Sequence, residues 1–500
     1  MEKTCVRTHA VGEVCVITID NPPINASSMA VRHGLMVAID TLTKDVNFKA
    51  GVIIGAGTTF VAGSDLREFG LPLPSPHLPE VILAIEHCPK PVVAALHGAA
   101  LGGGFELALA CDARVAAKDT MVGLPEVSLG IIPGAGGTQR LPRRVGIAKA
   151  IQLICSAQRI SATEASALNL VDEVVTGDLL TAAIAYALAL KGQKQRIRDE
   201  AVLTEDQSLV KQAAENAMRM GKGRPAVESA IDIIRSSQLL PFDEALADER
   251  AVFMHLRLSP DAFALRHIFF AERDSTKLPQ ELLANPLPIG TVCVIGAGTM
   301  GSGIVISVLD AGLKVILLEQ DEAALLLGKE RVVNHYRDRV TASKMKASVA
   351  AEREAHLQCT LDWQLLAQAD LVIEAVFEDL AVKQAVFKKI DQFARPGAVL
   401  ATNTSYLDVD AIANATSRPQ DVIGLHFFSP ANVMKLLEVV RGSASKHEVL
   451  ATGMALGKRL RKLPVLAGNA FGFIGNRIYN AYRNQCEFML EDGALPEEVD

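Results

Sequence analysis

The sequence lacks the cysteine patterns that bind metals or cross-link small secreted proteins. Its eight cysteines are scattered along 500 residues, without a CxxC pair or a cluster of Cys and His. This distribution argues against a disulfide framework and against a metal site, and it fits a reducing compartment. The N-terminus also lacks the apolar segment of a secretion signal and passes directly into a strand-like alternation. We therefore expect an intracellular protein without a metal.

Basic charge is also scarce in this chain. It has 50 Lys and Arg against 57 Asp and Glu, a net charge of −7, and no long basic block. This balance argues against a nucleic-acid partner and against attachment to an anionic membrane. A small phosphate-bearing ligand needs only a local cluster, for which Arg140, Arg143 and Arg144 are candidates. With 500 residues, 49% of them hydrophobic, two to four globular domains are expected.

One apolar run, from Val92 to Ala110, contains only two polar side chains, His97 and Glu106. A membrane-spanning helix is disfavoured here, because three successive glycines weaken a helix centre and a carboxylate is costly in lipid. The pattern instead predicts a buried strand over 92–96, a glycine turn, and a helix that begins near Gly103. Glu106 then lies in the first turn of the helix, beside free backbone N–H groups. We expect no stable insertion in a membrane.

A second carboxylate in apolar surroundings, Glu126, follows Glu106 by 20 residues. Two acids in a dry pocket can have their pKa values pushed apart, so that one activates a water and the other handles a proton. Addition of water to an activated double bond requires such a pair, together with N–H donors for the developing enolate oxygen. Glycine turns at 98–104 and 59–69 offer these donors. The alternative is that both acids start helices and are satisfied by local N–H groups.

The order of the patterns predicts two α/β regions separated by helices. Residues 1–190 alternate short β-rich runs with helical patterns, and 191–285 are helical and charged up to the proline-spaced ANPLPIG, where we place a domain boundary. A second α/β pattern occupies 286–470, and a helical pattern takes over in 471–500. We interpret 191–285 as a segment that completes the first region and links it to the second.

The second α/β region starts with a glycine pattern, Gly296, Gly298 and Gly301, between an apolar strand and a helix. Glu319 ends the next strand 23 residues after Gly296, about where a Rossmann unit places the acid that binds the ribose hydroxyls. An acid there repels a 2′-phosphate, so the pattern favours NAD over NADP. The alternative is a tight turn that binds nothing. The similar glycines at 134–137 are not followed by a strand with a terminal acid, and we do not interpret them as a nucleotide site.

A candidate base for alcohol oxidation is His426, which lies in a strand-like run and is followed by a polar turn and a second run with Glu438. Asn432 is at the midpoint of the two, so a hairpin would place His426 opposite Glu438, where the carboxylate would stabilise the charged imidazole. A single His in a strand is more often packed than catalytic. The register of the acid favours catalysis.

Residues 286–500 resemble the L-3-hydroxyacyl-CoA dehydrogenase family through VIGAGTMGSG, VIEAVFEDLAVK, ATNTSYL, GLHFFSPANVMKLLEVV and NAFGFIGNRI. The resemblance implies that His426 is the base and Glu438 its partner, and that Ser405 and Asn476 position the substrate by hydrogen bonds. It further implies a set of NAD-binding residues: Gly296, Gly298, Thr299, Met300, Gly301, Glu319, Glu378, Lys383 and Asn403.

Residues 1–190 resemble the crotonase (enoyl-CoA hydratase/isomerase) family through NPPINA, FVAGSDL, HGAALGGGFELALACD and PEVSLGIIPGAGGTQRLPR. The resemblance implies Glu106 and Glu126 as the catalytic pair, oxyanion N–H groups from Ser64 and Gly103, and Gly134 as a further substrate-binding position. Many relatives carry alanine in place of Ser64; since the family uses the backbone N–H, we expect little effect. The presence of both acids favours hydration, with isomerisation as a side activity.

Both regions in this order resemble bifunctional fatty-acid β-oxidation enzymes, which implies a crotonase (ββα spiral) domain, a helical linker, a Rossmann domain and the start of a C-terminal helical domain. The expected substrates are acyl-CoA thioesters, with a thiolase as a further partner. The product of hydration is what the second site oxidises, and fusion raises its local concentration. Bacterial cytoplasm is the expected location, with the peroxisome as the alternative.

Two other functions stay open on the sequence. The first is an isomerase or hydratase with a vestigial dehydrogenase, because relatives continue past the equivalent of Asp500 and we expect the chain to end inside the helical region. The second is a non-catalytic scaffold that binds acyl-CoA or a thiolase, which the four intact candidate catalytic residues disfavour.

Overall fold

The computed structural model describes residues 5–70 and 72–500, so that the first four residues of the predicted first domain and Leu71 lie outside it. The chain divides into two compact units, Met1–Phe269 and Phe270–Asp500. The predicted helical segment 191–285 is thus split between them, and the division lies inside a helix rather than at ANPLPIG. The reason is packing: apolar side chains of this segment, among them Val210, Phe253 and Ala262, belong to the core of the first unit.

The first unit consists of nine strands and eleven helices in the described ranges, the last helix crossing the division. The strands are β1 (Val6–Val11), β2 (Val14–Ile19), β3 (Ala50–Gly55), β4 (Val92–Leu96), β5 (Ala99–Leu101), β6 (Ala113–Ala117), β7 (Met121–Gly123), β8 (Arg159–Ser161) and β9 (Glu173–Val175). The helices are α1 (Met29–Lys44), α2 (Leu78–His87), α3 (Gly103–Ala110), α4 (Gly137–Val145), α5 (Ile147–Cys155), α6 (Ala162–Ala167), α7 (Leu179–Ala189), α8 (Gln207–Gly221), α9 (Pro225–Ser236), α10 (Phe242–Leu256) and α11 (Pro260–Ser275).

The apolar run of 92–110 is the centre of this unit. Strand β4 pairs in parallel with β3 and β6 in a six-stranded sheet of order β1-β2-β3-β4-β6-β9, and β5, β7 and β8 form a separate small sheet. Every residue of β4 and of α3 is buried. The apolar run is therefore explained by burial inside the unit, and α3 begins at Gly103 as predicted. Within the described residues, none of the helices has the length and apolar character needed to span a bilayer.

The second unit has eight strands and eight helices in the part of the chain that the structure describes. The strands are β10 (Thr291–Ile295), β11 (Lys314–Leu318), β12 (Leu357–Thr360), β13 (Leu371–Glu374), β14 (Val399–Thr402), β15 (Val422–Phe427), β16 (Leu436–Arg441) and β17 (Leu463–Gly468). The helices are α12 (Thr299–Asp310), α13 (Glu322–Thr341), α14 (Ala347–Ala355), α15 (Leu380–Phe393), α16 (Val409–Ala413), α17 (His447–Arg459), α18 (Gly475–Glu491) and α19 (Pro496–Val499).

These strands form one sheet of order β12-β11-β10-β13-β14-β15-β16-β17, in which β15 and β16 are the antiparallel pair. The first strand β10 lies between β11 and β13, and this reversal of strand order at the first βα turn is the place where doubly wound sheets bind dinucleotides. The β15–β16 hairpin pairs His426 directly with Glu438, which confirms the predicted register. The C-terminal region after β17 is helical, also as predicted.

Candidate active sites

The glycine turn before α3 depends on backbone conformations that a side chain would disturb. Gly102 caps the helix with φ 51° and ψ −129°, and its N–H donates to the Gly123 carbonyl. A Cβ on Gly102 would lie 3.0 Å from Oε1 of Glu126, and one on Gly103 would lie 2.6 Å from Oγ of Ser64. Glycine is therefore needed at both 102 and 103. The turn brings Glu126 and the glycine turn at 59–69 close to each other.

The two predicted oxyanion donors lie side by side. A Cβ on Gly103 would be 3.8 Å from the backbone nitrogen of Ser64. Among the described residues, neither the N–H of Gly103 nor that of Ser64 donates to a backbone carbonyl outside regular helices and strands. A bridge between Ser27 and Ser64 fixes the second loop, with the Ser27 N–H donating to Gly63. The two N–H groups can thus converge on one oxygen, as a developing enolate requires.

Glu106 is a buried carboxylate held by a distant turn. Its Oε1 accepts hydrogen bonds from the N–H groups of Ala135 at 2.8 Å and Gly137 at 2.9 Å, and its exposed fraction is 3%. Burial raises the pKa of Glu106, while the two N–H donors and the positive charges of Arg140 and Arg250 oppose the rise. The donors stabilise the ionised form, which is the form that can accept a proton from water.

Glu126 starts the short 3-10 helix Glu126–Leu129 and is surrounded differently. Its Oε2 is buried and has no hydrogen-bond partner among the described residues. Burial, followed by repulsion from Glu106, raises its pKa well above the usual range. Glu126 is therefore the acid of the pair that binds its proton more tightly, and the two-acid hypothesis needs such a difference.

Sequence reasoning missed two charged residues of this site, Glu249 and Arg250 on α10. Glu249 is fully buried and accepts hydrogen bonds from the N–H groups of Gly136 and Thr138 and from the Thr138 hydroxyl. Arg250 donates to the Gly134 carbonyl at 3.3 Å. A signal was available, because Ala245, Glu249, Phe253 and Leu256 form one buried helical stripe, and an acid in such a stripe indicates an internal partner.

Other predicted positions in this unit lie in tightly packed surroundings. A Cβ on Gly134 would be 2.3 Å from Cγ of Phe253, so only glycine fits there, and its role in substrate binding stays a prediction. The arginine cluster proposed for a phosphate is wrong in this role. Arg140 is fully buried and paired with Glu86 at 2.7 Å, Arg143 is buried, and Arg144 pairs with Glu200. These charges are neutralised or enclosed within the protein.

In the second unit, the glycine pattern forms the predicted tight turn. Gly296 has φ 106°, where a Cβ would lie 2.6 Å from the Ala375 carbonyl, and a Cβ on Gly301 would be 1.8 Å from the Gly296 carbonyl. A Cβ on Gly298 would have no neighbouring atom within 4 Å, so the space beside this glycine is open. Thr299 and Met300 begin α12, whose first N–H groups point out of its N-terminus. Glu319 accepts from the Ala297 N–H at 2.8 Å, so its carboxylate lies beside the turn. These features fit a dinucleotide.

The remaining predicted NAD-binding residues form a polar network behind this turn. Lys383 is 1% exposed, and its Nζ lies 2.7 Å from Glu374 and 3.4 Å from Glu378. Burial alone would raise the pKa of Glu378, but the pKa is lowered overall. The causes are the charge of Lys383 and hydrogen bonds from the Thr404 hydroxyl and the N–H groups of residues 405 and 406. Asn403 accepts from the Phe427 N–H at 2.8 Å. Glu374, fully buried, was missed by sequence reasoning.

His426 and Glu438 form a buried pair in the hairpin. Nδ1 of His426 lies 2.6 Å from Oε2 of Glu438, and the ring packs against Phe428 and Phe473. The other carboxylate oxygen, Oε1, accepts from the N–H groups of Ile474 and Gly475. Burial would raise the pKa of Glu438, but the hydrogen bond to His426 and these N–H donors lower it overall. Glu438 thus stays ionised and binds Nδ1 of His426, so that Nε2 is the ring nitrogen left to take a proton from a substrate.

Ser405 and Asn476 meet each other near this pair. Nδ2 of Asn476 donates to the carbonyl of Ser405 at 3.3 Å, and the Ser405 N–H donates to Glu378 at 2.8 Å. Asn476 directly follows Gly475, whose N–H is bound by Glu438. The start of α18 therefore connects Asn476 to the His426–Glu438 pair, and Ser405 connects both to the polar network around Lys383.

Comparison with known proteins finds a different family in each of the two units. Residues 9–220 match the enoyl-CoA hydratase/isomerase family, and residues 291–470 match the NAD-binding domain of 3-hydroxyacyl-CoA dehydrogenase. Among solved structures, an Escherichia coli 3-hydroxybutyryl-CoA dehydrogenase is 38% identical over 42% of this chain and 44% of its own, with a TM-score of 0.41.

Relatives that contain both parts align along almost the whole chain. A zebrafish (Danio rerio) peroxisomal bifunctional enzyme is 42% identical over 97% of this chain and 68% of its own length. The human peroxisomal bifunctional enzyme is 40% identical over 97% and 69%, and an Arabidopsis thaliana peroxisomal fatty acid β-oxidation multifunctional protein is 37% identical over 95% and 68%. The chain therefore belongs to the family of bifunctional β-oxidation enzymes that join an acyl-CoA-acting hydratase/isomerase domain to an NAD-dependent 3-hydroxyacyl-CoA dehydrogenase domain.

Proposed function

We propose that the first unit adds water to trans-2-enoyl-CoA. The observation that carries this proposal is the difference between its two buried acids. Oε1 of Glu106 accepts from two N–H groups, whereas Oε2 of Glu126 has no partner among the described residues. One acid is thereby suited to take a proton and the other to give one.

In this mechanism Glu106 accepts a proton from water as the water oxygen bonds to C3 of the substrate. The C2–C3 π electrons move toward the thioester carbonyl, and the N–H groups of Ser64 and Gly103 bind the enolate oxygen. C2 then takes the proton from Glu126, which gives L-3-hydroxyacyl-CoA. Exchange with solvent returns the two acids to their starting forms. Loss of one oxyanion donor typically costs ~10²-fold or more in rate.

For the second unit we propose oxidation of that hydroxyl group, with His426 as base. NAD supplies the hydride acceptor, and Gly296, Gly298 and Glu319 are the residues that would hold it. Nε2 of His426 takes the hydroxyl proton, and Glu438 stabilises the imidazolium that results. Ser405 and Asn476 would orient the substrate, since they lie at the start of α18 beside this pair.

The two proposed reactions form a sequence, because the product of hydration carries the hydroxyl group that the second unit oxidises. The resulting 3-ketoacyl-CoA is a substrate for thiolytic cleavage, so we propose a thiolase as the downstream partner on chemical grounds. The peroxisomal names of the relatives support the peroxisome rather than bacterial cytoplasm as the location.

A coupled assay tests the whole proposal: crotonyl-CoA and NAD are added to the protein, and NADH absorbance is followed. We expect NADH to form only when both substrates are present. Loss of the enoyl absorbance without NADH would favour the alternative of a hydratase or isomerase with an inactive dehydrogenase. That alternative has its own support, because the dehydrogenase family match covers the NAD-binding domain alone. No change in either signal would refute both proposals and favour a non-catalytic acyl-CoA-binding scaffold.

A further inference from the structure

A third buried carboxylate, Glu249, lies under the pair of acids in the first unit. It is 113 residues away from Gly136 in the chain, yet its Oε1 is 2.5 Å from the Gly136 nitrogen. Its Oε2 accepts from the Thr138 N–H at 3.0 Å and from the Thr138 hydroxyl at 2.5 Å. The side chains of both residues at this contact, Glu249 and Thr138, are fully enclosed.

The same turn also holds Glu106. The N–H groups of 135 and 137 point to Glu106, and those of 136 and 138 point to Glu249. Four successive N–H groups therefore donate in turn to Glu106 and to Glu249, and the backbone of the turn lies between the two carboxylates. The conformation requires glycine at 136, where φ is 102° and a Cβ would lie 1.6 Å from Nη1 of Arg140. A displacement of Glu249 would rotate the peptides that hold Glu106.

Glu249 also acts on the pair through charge. Burial, followed by repulsion from Glu106, raises the pKa of Glu249 to about 8, against the three hydrogen bonds that lower it. Its own negative charge contributes to the raised pKa of Glu126. The other charged groups facing this cluster are Arg250 on α10 and Arg140 on α4, both of which act on Glu106, and Glu86 on α2, which is paired with Arg140. The charges of Glu106, Glu126 and Glu249 are therefore close enough to influence one another.

We propose that Glu249 is a positioning residue for hydration, which fixes the turn that orients Glu106 and whose charge controls how protons are distributed over the catalytic pair. This inference rests on the proposed hydratase function. Within the described residues, the hydrogen bonds of Glu249 go to Gly136 and Thr138 and not to the oxyanion donors, so it acts through Glu106 and Glu126. Two kinds of effect follow, one on rate through geometry and one on the pH dependence through charge.

The first test variant is Glu249→Gln, which removes the charge and gives the Gly136 N–H or the Thr138 groups an amide donor instead of an acceptor. We expect kcat for crotonyl-CoA hydration to fall at least about tenfold, because the turn no longer holds Glu106 in place. We also expect the alkaline limb of the kcat/KM profile to move to lower pH. The sign follows because an ionised Glu249 keeps the proton on Glu126, and its removal lets that proton leave sooner.

The second variant, Thr138→Val, keeps the charge and the side-chain volume but removes one hydrogen-bond donor to Glu249. Since that donor stabilises the ionised form, its loss holds Glu249 protonated to higher pH. The alkaline limb should shift in the same direction, by less. This variant carries the test if Glu249→Gln does not fold. The matched control is Asp248→Asn, which removes an exposed charge next in sequence on α10 and should change neither rate nor profile.

The outcomes separate this inference from the proposed function. If the wild-type protein does not hydrate crotonyl-CoA, the proposed function fails. If it does, and both variants keep the shape and position of the wild-type pH profile, Glu249 only braces α10 against the core and the inference is wrong. A lower melting temperature with an unshifted pH profile would likewise mean that Glu249 serves stability alone.

Discussion

Replacement of Glu438 by glutamine should disable the proposed base, His426, without disturbing nucleotide binding. In the structure, Oε1 of Glu438 accepts from the N–H groups of residues 474 and 475, while Oε2 faces Nδ1 of His426 at 2.6 Å. Glutamine can keep the first two bonds only by turning its oxygen toward them. Its amide nitrogen then faces Nδ1 and donates to it, which forces the imidazole proton onto Nε2.

The magnitude follows from two losses. A protonated Nε2 cannot accept the substrate proton, and the imidazolium that forms in the transition state has no counter-charge. An interaction worth roughly 3 kcal/mol in the transition state corresponds to about a hundredfold in rate. We therefore expect kcat for oxidation of 3-hydroxybutyryl-CoA to fall at least about a hundredfold, while the Kd for NAD, which depends on the glycine turn and Glu319, stays within about twofold.

The assay is NADH formation from 3-hydroxybutyryl-CoA for the two single variants, Glu438→Gln and His426→Gln, and for their combination. Residues that act as one unit are non-additive, so the double variant should be little slower than His426→Gln alone. Glu448→Gln, which removes an exposed acid from the following helix, is the matched control. Losses that multiply in this cycle would show that the two side chains act independently and would refute the pairing.

Three further predictions concern single steps. Glu126→Gln should abolish hydration and leave oxidation of added 3-hydroxybutyryl-CoA intact, since an amide cannot give the proton; near wild-type hydration would contradict the assignment. NAD should be preferred to NADP by more than about tenfold in kcat/KM, because the Glu319 carboxylate repels a 2′-phosphate, and equal values would refute that role. Ser64→Ala should change hydration less than about threefold, whereas Gly103→Ala, whose Cβ would lie 2.6 Å from Oγ of Ser64, should cost ~10²-fold or more; the reverse order would show that the Ser64 hydroxyl, not the backbone, binds the enolate.

The sequence predicted features whose signal is local. The strand over Val92–Leu96 and the helix from Gly103 followed from an apolar run interrupted by glycines. The pairing of His426 with Glu438 followed from the position of Asn432, since a short antiparallel hairpin places residues at equal distances from its turn opposite each other. In each of these, the residues that decide the structure are close neighbours in the chain.

The features that were missed depend on contacts between distant segments. Glu249 bonds to a turn 113 residues earlier in the chain, and no local pattern links α10 to that turn. The arginine cluster at 140–144 was misinterpreted for the same reason, because Glu86, its partner, lies 54 residues before Arg140. The division at Phe269 was also missed, because only the packed structure shows that the helices after 190 bury their apolar faces on the first core. The sequence does show that Glu249 is an acid at helical spacing within an apolar stripe. This pattern indicates that Glu249 has an internal partner, but it does not identify that partner.

The two units shift the pKa of a buried glutamate in opposite directions, and the hydrogen-bond donors and charges around each carboxylate explain the difference. Glu438 is enclosed, but two N–H groups and the imidazole of His426 supply donors to both of its oxygens, and its pKa is lowered. Glu126 is also buried, its Oε2 has no partner among the described residues, Glu106 repels its charge, and its pKa is raised. Burial alone therefore does not decide the charge of an acid. In the proposed mechanisms, one residue type therefore serves as a proton donor in the first unit and as a counter-charge in the second.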